Sequence, residues 1–587
     1  MNSSTAVRVA TTLLSLTILG CGSDSTSEEI TPPDPVGPGA FLLETIGATG
    51  ESRAPRVPPQ FADIAAAAGV EFRFHNDIVP DRFLLPEIMG GGAAWIDYDN
   101  DGWWDLCLAN GSVIEDPDQS PHVNRLFRNL GGNRFEEVSI ETGTTDRGYG
   151  QGLAVGDYNA DGFADLFVAN YGANALYRNN GDGTFDDVTA SAGVAGNVWS
   201  SGAMWVDLNR DGLLDVYVAN YLNITLEISE LERQGTKDPD VYSGPGKFES
   251  VADLAYLNLG NGSFREASDE LGLRPPQGKG LGLAAVDFDD DLSFEIYVAN
   301  DMVPNFLFAY DAEKGRYVNK ARLAGCDVGG DGANEASMGI ALADFNHNGM
   351  CDVLLTHYYQ MKNTLYNNNG DLLFSDDSRI SGIANTSNDF IGFGTASIDF
   401  DRDGWPDLFV SNGHVRGPRF PPFELTAQIL WNDKGFFRDV SATAGRYFQT
   451  QVVGRSAAPC DLDNDGDVDM GVTHVIAPFA LLNNNTAVSR PFIGLDLRPA
   501  NRGSLAGGRV IITAGEQRLV HHLSAGGSYL CSPDPRVVLA VGDHQGGIDV
   551  ELHWPSGAVE QFPELPPNKY WLIREGAPRL TASPDAS

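Results

Sequence analysis

The sequence predicts an all-β protein in which a seven-bladed β-propeller is followed by a small all-β domain. One acidic pattern, D-x-[DN]-x-[DN]-G-x-x-D, occurs six times in full and once in degenerate form, each time before an apolar run. Successive copies begin 50 to 80 residues apart, which suits one four-stranded blade with its loops. The chain also contains 67 Gly and 32 Pro, which favour turns over long helices.

The composition is that of a globular and strongly acidic protein. Of 587 residues, 42% are hydrophobic and 20% are charged. The chain carries 80 Asp and Glu but only 39 Lys and Arg, which gives a formal net charge of -41. Nucleic acid requires a basic surface, so this balance argues strongly against a nucleic-acid partner and against docking on anionic lipid.

The N-terminus has the pattern of a targeting segment. Arg8 precedes an apolar run over residues 9–19, which is too short to span a bilayer because a spanning helix needs about 20 residues. The run ends at Gly20-Cys21 and resembles a bacterial lipoprotein signal, in which the Cys becomes the acylated first residue. We therefore expect export and a lipid anchor at Cys21 as the only membrane attachment, facing the periplasm or the cell surface. An ordinary secretory signal with an incidental Cys is the alternative.

Each acidic repeat is a candidate calcium loop. In the first copy, Asp97, Asp99, Asp101 and Asp105 stand at positions 1, 3, 5 and 9, and Gly102 permits the tight turn. Calcium takes about six to eight oxygen ligands, and the carbonyl at position 7 can complete the shell. An EF-hand would carry Glu at position 12, but all seven copies have Leu or Val there, so the loop joins two strands. With up to seven calcium ions, the predicted ligands are Asp97, Asp99, Asp101, Asp105, Asp157, Asn159, Asp161, Asp165, Asp207, Asn209, Asp211, Asp215, Asp287, Asp289, Asp291, Glu295, Asp344, Asn346, Asn348, Asp352, Asp399, Asp401, Asp403, Asp407, Asp461, Asp463, Asp465 and Asp469.

The seven copies differ in the affinity expected of them. The first, sixth and seventh keep four carboxylates, whereas the second and third have Asn at position 3. The fifth has only Asp344 and Asp352 as carboxylates, so we expect weak binding there. The fourth has Leu292 in place of the Gly and Glu295 at position 9, and we expect it to be the poorest site. A metal-free Asp/Asn turn explains any one copy equally well, but it does not explain seven in register.

Two further registers support a ring of blades. Five positions before each copy stands a Gly, or Ser456 in the last, as a crowded innermost strand requires. Residues 61–64 match the end of a blade that residues 479–483 begin, so the N-terminal strand is expected to close the ring. Thirteen positions after each copy begins, at the end opposite the calcium loops, a polar residue either caps a turn or lines a ligand pocket. These residues are Asn110, Asn170, Asn220, Asn300, His357, Asn412 and His474.

A polar cluster near the axis of that non-calcium face is the candidate ligand site. Arg455 would bring one cation into a mostly acidic funnel, and Trp199, Tyr221 and Tyr358 would offer aromatic surface to a glycan. Scattered surface and turn residues are the alternative interpretation. The candidate ligand-binding residues are His75, Glu87, His357, Asn412, His414, Arg455 and His474.

Beyond Arg490 the repeat stops, and strand-length apolar runs predict a small all-β domain. The repeats resemble the FG-GAP/VCBS repeats of integrin-type propellers. Gly507-Gly-Arg-Val510 and Trp554-Pro-Ser-Gly557 resemble the ASPIC/UnbV domain, which follows such propellers in relatives of cartilage acidic protein. The predicted division is a lipoprotein signal peptide (1–20), a flexible tether (21–58), the propeller (59–487), an ASPIC/UnbV-like domain (490–575) and a tail (576–587).

No nucleophile elbow, phosphate loop or zinc-protease pattern stands out, and calcium accounts for the repeated carboxylates. The sequence therefore favours a calcium-stabilised, lipid-anchored module of the bacterial cell envelope that binds a protein or glycan, and it leans away from an enzyme. Two alternatives stay open. One is an enzyme that acts on a polysaccharide or small metabolite at the non-calcium face, and the other is a structural component of an envelope assembly.

Overall fold

The computed structural model describes residues 55–235, 241–415, 423–500, 503–577 and 581–582. The predicted signal peptide, the lipidation site Cys21 and most of the predicted tether and tail lie outside the described residues. The described chain consists mainly of β-strands with a few short helices, so the predicted all-β class is confirmed. No helix among the described residues is long and apolar enough to cross a membrane.

Within the described residues, seven antiparallel units of four strands follow one another along the chain, and we number them 1 to 7. Units 2 and 3 are joined in one eight-stranded sheet, because residues 196–199 pair with residues 171–173. The fourth strand of unit 7 comes from the N-terminus. The strands are Ala93–Ile96, Asp105–Leu108, Arg125–Asn129 and Phe135–Glu137 (unit 1); Tyr149–Gly156, Asp165–Ala173, Ala175–Asn179 and Phe185–Asp187 (unit 2); Gly196–Val206, Asp215–Asn220, Leu254–Asn258 and Phe264–Glu266 (unit 3); Gly280–Val286, Glu295–Asn300, Phe306–Asp311 and Arg316–Asn319 (unit 4); Ile340–Ala343, Asp352–Leu355, Thr364–Asn368 and Phe374–Asp376 (unit 5); Gly392–Ile398, Asp407–Asn412, Gln428–Asn432 and Phe437–Asp439 (unit 6); Gly454–Cys460, Asp469–His474, Ala480–Asn484 and Phe61–Asp63 (unit 7).

The units close into a ring. The first strand of each unit contacts the first strand of the next, and that of unit 7 contacts that of unit 1. Phe61–Asp63 pairs antiparallel with Ala480–Asn484, so the two ends of the repeat region meet in one sheet. The glycine register has a steric cause: a Cβ on Gly339 would lie 2.1 Å from the carbonyl oxygen of Phe393 in the neighbouring unit. First strands therefore approach too closely for larger side chains.

Helices are short and peripheral. Several one-turn helices follow a fourth strand and end at a glycine with left-handed backbone, such as Gly143 (φ 81°). The longest helix, Leu226–Gly235, lies in the insertion after the second strand of unit 3. The α-helices are Ala65–Ala68, Ser139–Thr142, Thr189–Ala192, Leu226–Gly235, Ser268–Leu271, Ala321–Ala324 and Ile383–Ser387, and the 3-10 helices are Leu85–Ile88, Pro117–Gln119, Pro245–Lys247, Ser441–Thr443 and Tyr447–Gln449.

The C-terminal domain contains two four-stranded sheets around its own core, in which Trp554 is fully buried. Its two-residue strand Ala525–Gly526 leaves the domain and pairs with the first strand of unit 4. The strands are Phe492–Arg498, Arg509–Ala514, Gln517–His522, Ala525–Gly526, Val537–Ala540, Ile548–His553, Val559–Leu565, Tyr570–Arg574 and Thr581–Ala582.

Residues 525–532, which we call the axial segment, run through the centre of the ring. Ser528 N–H donates to the carbonyl of Ile340 in unit 5 (2.6 Å), and its hydroxyl donates to the carbonyl of Ala457 in unit 7 (2.6 Å). Ser532 exchanges backbone hydrogen bonds with unit 1. The axial segment thus touches first strands around the ring, and the C-terminal domain supplies part of the core of the repeat region.

Candidate functional site

All seven acidic loops share one backbone arrangement. In unit 1, Asp97 accepts hydrogen bonds from the N–H groups of Asp101 (3.0 Å) and Gly102 (3.2 Å), and Asp101 accepts one from the N–H of Trp103 (2.9 Å). The equivalent three bonds occur in the other six loops. The residue at position 1 therefore closes the turn in every unit.

The carboxylate at position 9 ties each loop to its sheet. Asp105 is fully buried and accepts hydrogen bonds from the N–H groups of Tyr98 (3.2 Å) and Asn129 (2.7 Å). Asn129 belongs to a set that sequence reasoning missed, although its signal is visible as an Asn at the end of the third strand in six units. In unit 2 its counterpart Asn179 donates to the carbonyl of Tyr98 in unit 1 (2.8 Å), which links adjacent units. The set is Asn129, Asn179, Asn258, Asn368, Asn432 and Asn484.

Four loops bring their carboxylates together. In each, three acidic residues place an oxygen within 4.8 Å of one another. In each, one oxygen of the position-3 aspartate is also buried without a hydrogen-bond partner. These atoms are Oδ1 of Asp99, Asp289, Asp401 and Asp463, and that of Asp401 also lies 3.8 Å from a guanidinium nitrogen of Arg490. A buried anionic oxygen without a donor is unfavourable, so these atoms fit a site for a cation. All donors are oxygens, the ligand type that calcium prefers.

The remaining three loops use an asparagine amide in the same place. Asn159 and Asn209 each donate to the position-5 carboxylate of their own loop, at 2.8 Å. Asn346 accepts a hydrogen bond from the backbone N–H of Asn348 (2.9 Å). In units 2 and 3 the amide thus donates to a carboxylate within the loop, whereas Asn346 donates to Asn367 outside it. A neutral amide at position 3 lowers the negative charge of all three loops, so they have less need of a cation.

The fourth loop keeps this geometry despite the loss of its glycine. Leu292 adopts the left-handed backbone that Gly102 has in unit 1, with φ 66° against 89°. Glu295 at position 9 accepts a hydrogen bond from the N–H of Phe288 (3.0 Å), as Asp105 does from Tyr98. The geometry therefore groups this loop with the acidic ones, whereas the sequence marked it as the poorest.

Ionisation of these loops makes the metal-free protein sensitive to pH. Burial, the main cause, raises the pKa of Asp97 and Asp287 to about 6 and that of Asp401 and Asp461 to about 7. An aspartate in an unfolded chain has a pKa of about 3.9, so the protonated form favours folding. Metal-free protein should therefore lose stability as the pH rises from about 4 to about 7. Calcium should raise the melting temperature more at about pH 8 than at about pH 5. Thermal melts of dialysed and of calcium-loaded protein between about pH 5 and about pH 8 test this prediction. Metal-free protein that is most stable at about pH 8 would contradict the prediction.

On the non-calcium face, the funnel suggested by the sequence is filled. Arg455 has no exposed surface, donates to the carbonyls of Ile88 (2.7 and 3.0 Å) and Gly454 (2.7 Å), and lies 4.0 Å from the ring centroid of Phe393. Arg455 therefore links backbone segments that are far apart in the sequence, and it does not face a ligand. The physical reason is the 3-10 helix Leu85–Ile88, which covers the axis at this end.

Aromatic residues expected to face a glycan are also buried. Trp199 and Tyr221 are 2% and 1% exposed, and the indole of Trp199 donates to the side-chain oxygen of Gln151 (3.1 Å). Tyr358 is half-buried at the rim and packs against His414, which is itself buried. The centre of this face thus offers no open aromatic platform.

Glu87 forms part of a buried polar cluster beneath the insertion. It pairs with Arg82, which also pairs with Asp77 (2.9 Å), and it accepts a hydrogen bond from the hydroxyl of Tyr242 (2.9 Å). The insertion within unit 3 therefore locks residues 77–89 over the axis. His75 lies nearby and stacks on another histidine, His122, with ring centroids 3.5 Å apart.

The other candidate residues end second strands. Asn412 caps the carbonyl of Thr426 (3.0 Å), which confirms the turn-capping interpretation for this position, and Asn110, Asn170, Asn220 and Asn300 make similar bonds. His474 is held between the hydroxyl of Tyr447 and the carbonyl of Pro478.

His357 forms an acid–base pair with Glu335, with Nε2 and Oε2 3.3 Å apart. Its side chain is completely buried, and burial lowers its pKa to about 4, so the imidazole is neutral at physiological pH. The structure therefore does not gather the seven candidates into one accessible pocket, and in this pair only Glu335 reaches the surface, with 13% of its side chain exposed.

Parts of this chain match two known protein families. The FG-GAP-like repeat family matches residues 97–168, 157–218, 344–410 and 399–472, and the family described as ASPIC and UnbV matches residues 499–580. Cartilage acidic protein 1 of Xenopus tropicalis is 24% identical over 297 residues, and that of Homo sapiens is 23% identical over 325 residues. The chain is an FG-GAP and ASPIC/UnbV protein homologous to cartilage acidic protein 1. The matched repeats include every acidic loop except the fourth, which has the degenerate pattern.

This FG-GAP protein is related only in part to those homologues. The two alignments cover 49% and 53% of the chain, and 44% and 46% of the respective relatives, so the chain spans under half the length of the curated relatives it matches. Among solved structures, an Agrocybe aegerita lectin that recognises non-reducing terminal N-acetylglucosamine has a TM-score of 0.35 at 14% identity. The structural match covers 66% of this chain and 86% of the lectin chain. That similarity is too low to carry an inference about ligands.

Proposed function

We propose that this FG-GAP and ASPIC/UnbV protein is a calcium-stabilised binding module, anchored in the bacterial cell envelope by a lipid on Cys21, which recognises a protein or a glycan. FG-GAP repeats make it a β-propeller module of the binding or adhesion type. The observation that carries the calcium proposal is the buried carboxylate oxygen without a hydrogen-bond donor in four loops. The signal-like N-terminus of the sequence supports the anchor.

Calcium in this proposal acts on stability and performs no chemistry. A ligand at about ten times its Kd stabilises the folded state by about 1.4 kcal/mol per site, so four such sites would contribute about 6 kcal/mol. That is comparable to the whole stability of a typical domain. Because the axis is filled, the ligand is expected at the rim of the non-calcium face, where half-buried Tyr358 and Tyr359 lie beside His414.

The test is a thermal melt of the mature chain with calcium and with a chelator, alongside metal analysis of the protein. We expect about four tightly held calcium ions and a large upward shift of the melting temperature with calcium. Asp401→Asn should remove about one ion and reduce the shift, since it neutralises an inward carboxylate. Asp186→Asn is the matched control, because Asp186 is exposed and pairs with Arg178 outside any loop. Equal melts with and without calcium and no bound metal would end the proposal.

A further inference from the structure

The C-terminal domain rests on the acidic loops of units 4 to 7. In unit 4, Arg509 of the domain forms an ion pair with Asp290, at position 4 of the loop. In unit 5, Nε2 of His522 lies 3.0 Å from the carbonyl oxygen of Gly349, at position 6. Both contacts reach the outer edge of a loop, so they leave its inward oxygens unused.

The contacts continue in units 6 and 7. Arg490, where the chain enters the domain, donates to the carbonyl of Asp401 (2.8 Å). Arg536 donates to the carbonyl of Asp461 (2.7 Å), and the hydroxyl of Tyr570 donates to the Asp461 carboxylate. In these two loops the domain therefore contacts residues that are predicted cation ligands.

The loop of unit 1 provides the contrast at its carboxylates, although Arg536 of the domain also lies 5.4 Å from the ring centroid of Trp104 at position 8. Its arginine partner, Arg128, comes from the third strand of the same unit and pairs with Asp99 (2.6 Å) and Asp101 (3.2 Å). Unit 1 thus carries the same kind of arginine–carboxylate pair as unit 4, but the ring supplies the arginine. The two loops form a natural pair for comparison.

Docking of the C-terminal domain on the loops is coupled to insertion of the axial segment into the ring, because the contacting strand and the axial segment are close together in the chain. The axial segment directly follows the strand Gln517–His522, which supplies His522 to the unit 5 loop. Its backbone then bonds to Leu283 and Ile340, the first strands of units 4 and 5. A domain that lifts from the loops must withdraw this segment from the ring.

We propose that the loops of units 4, 6 and 7 form a cation-dependent seat for the C-terminal domain, so that calcium binding there favours insertion of the axial segment. The inference rests on the calcium binding proposed above. Calcium would fix the loop backbone whose carbonyls Arg490 and Arg536 bind, and the seated domain would in turn hold the loop ready for calcium. Such linkage is reciprocal, and coupling between sites is typically about 5- to 150-fold in affinity.

Hydrogen exchange of the full mature chain tests the seat. The amides of residues 525–532 report insertion, because those of Gly527, Ser528 and Ser532 donate to first strands. We expect these amides to exchange at least about fivefold faster without calcium. Asp289→Asn, in the unit 4 loop, should speed exchange of the segment in calcium. Asp99→Asn makes the equivalent substitution in unit 1 and should leave the exchange of the axial segment in calcium unchanged.

A second variant keeps all cation ligands. Arg509→Gln breaks the unit 4 contact from the side of the domain, and it should both speed exchange at residues 525–532 and weaken calcium binding. Arg128→Gln is its control and should not affect the axial segment. Bound calcium with identical exchange in calcium and chelator, or equal effects of Asp289→Asn and Asp99→Asn, would overturn the seat alone. Absence of bound calcium would overturn the calcium proposal as well.

Discussion

Replacing Tyr529 with alanine is expected to destabilise the entire ring by about 3–5 kcal/mol, the cost of truncating a large buried aromatic side chain. Tyr529 belongs to the axial segment and is fully buried. Its ring packs edge-to-face on Phe393 of unit 6 (centroids 5.1 Å apart), and its hydroxyl contacts the sulfur of Met89 (3.9 Å). It therefore joins the C-terminal domain, the ring and residues 84–89 at one point, and its loss leaves a cavity among all three.

Chemical denaturation followed by far-ultraviolet circular dichroism measures this loss. Tyr529→Phe keeps the aromatic ring of the side chain and loses only the hydroxyl, so it should reduce stability by less than about 1.5 kcal/mol. If Tyr529→Ala left the unfolding of the repeat region unchanged, the axial segment would not belong to the core of the ring.

Arg455→Ala should cause the second large loss, of about 3–5 kcal/mol, because truncating this large buried side chain leaves a cavity and removes a charged donor from buried carbonyls. The change leaves the carbonyls of Ile88 and Gly454 without a donor and removes the guanidinium from the face of Phe393. Lysine is not an adequate substitute, because it lacks the planar fork that binds one carbonyl through two nitrogens.

The control for this variant is Arg446→Ala, an exposed arginine in the segment between units 6 and 7, which should change stability by no more than about 0.5 kcal/mol. Thermal melts compare the two. A stable Arg455→Ala protein that had lost only ligand binding would restore the open funnel that the sequence suggested.

The acidic loops could be predicted from the sequence because they are local. Nine consecutive residues supply both the turn and the carboxylates, and repetition separates the pattern from chance. Closure by Phe61–Asp63 was also predictable, since each half of a broken repeat indicates the missing one. The turn of the fourth loop could not be predicted from its pattern, because Leu292 adopts the left-handed backbone of the missing glycine while Asp287 accepts its N–H (2.8 Å). The weak calcium binding expected of this loop stays a prediction.

The interior of the ring could not be predicted in this way. Arg455 bonds to Ile88 across 367 residues, and Ser528 bonds to Ala457 across 71. Neither residue lies in the repeated acidic pattern, so periodicity gives no sign of them. From the sequence alone, a polar residue near the axis is equally consistent with two roles. It can contact a ligand, or it can form hydrogen bonds with the backbone of a distant segment. Only the packed fold distinguishes the two.

Completion of the ring by segments far apart in the chain has a consequence for biogenesis. Unit 7 takes its outer strand from residues 61–63, and the axis receives residues 525–532, so an early and a late part of the chain are both needed to complete the ring. Long-range contacts of this kind slow folding and prolong exposure of apolar surface. A nascent chain that ended before residue 525 would have all the repeats but an unfilled centre. We expect such chains to be substrates for quality-control proteases, and the completed chain to acquire resistance late.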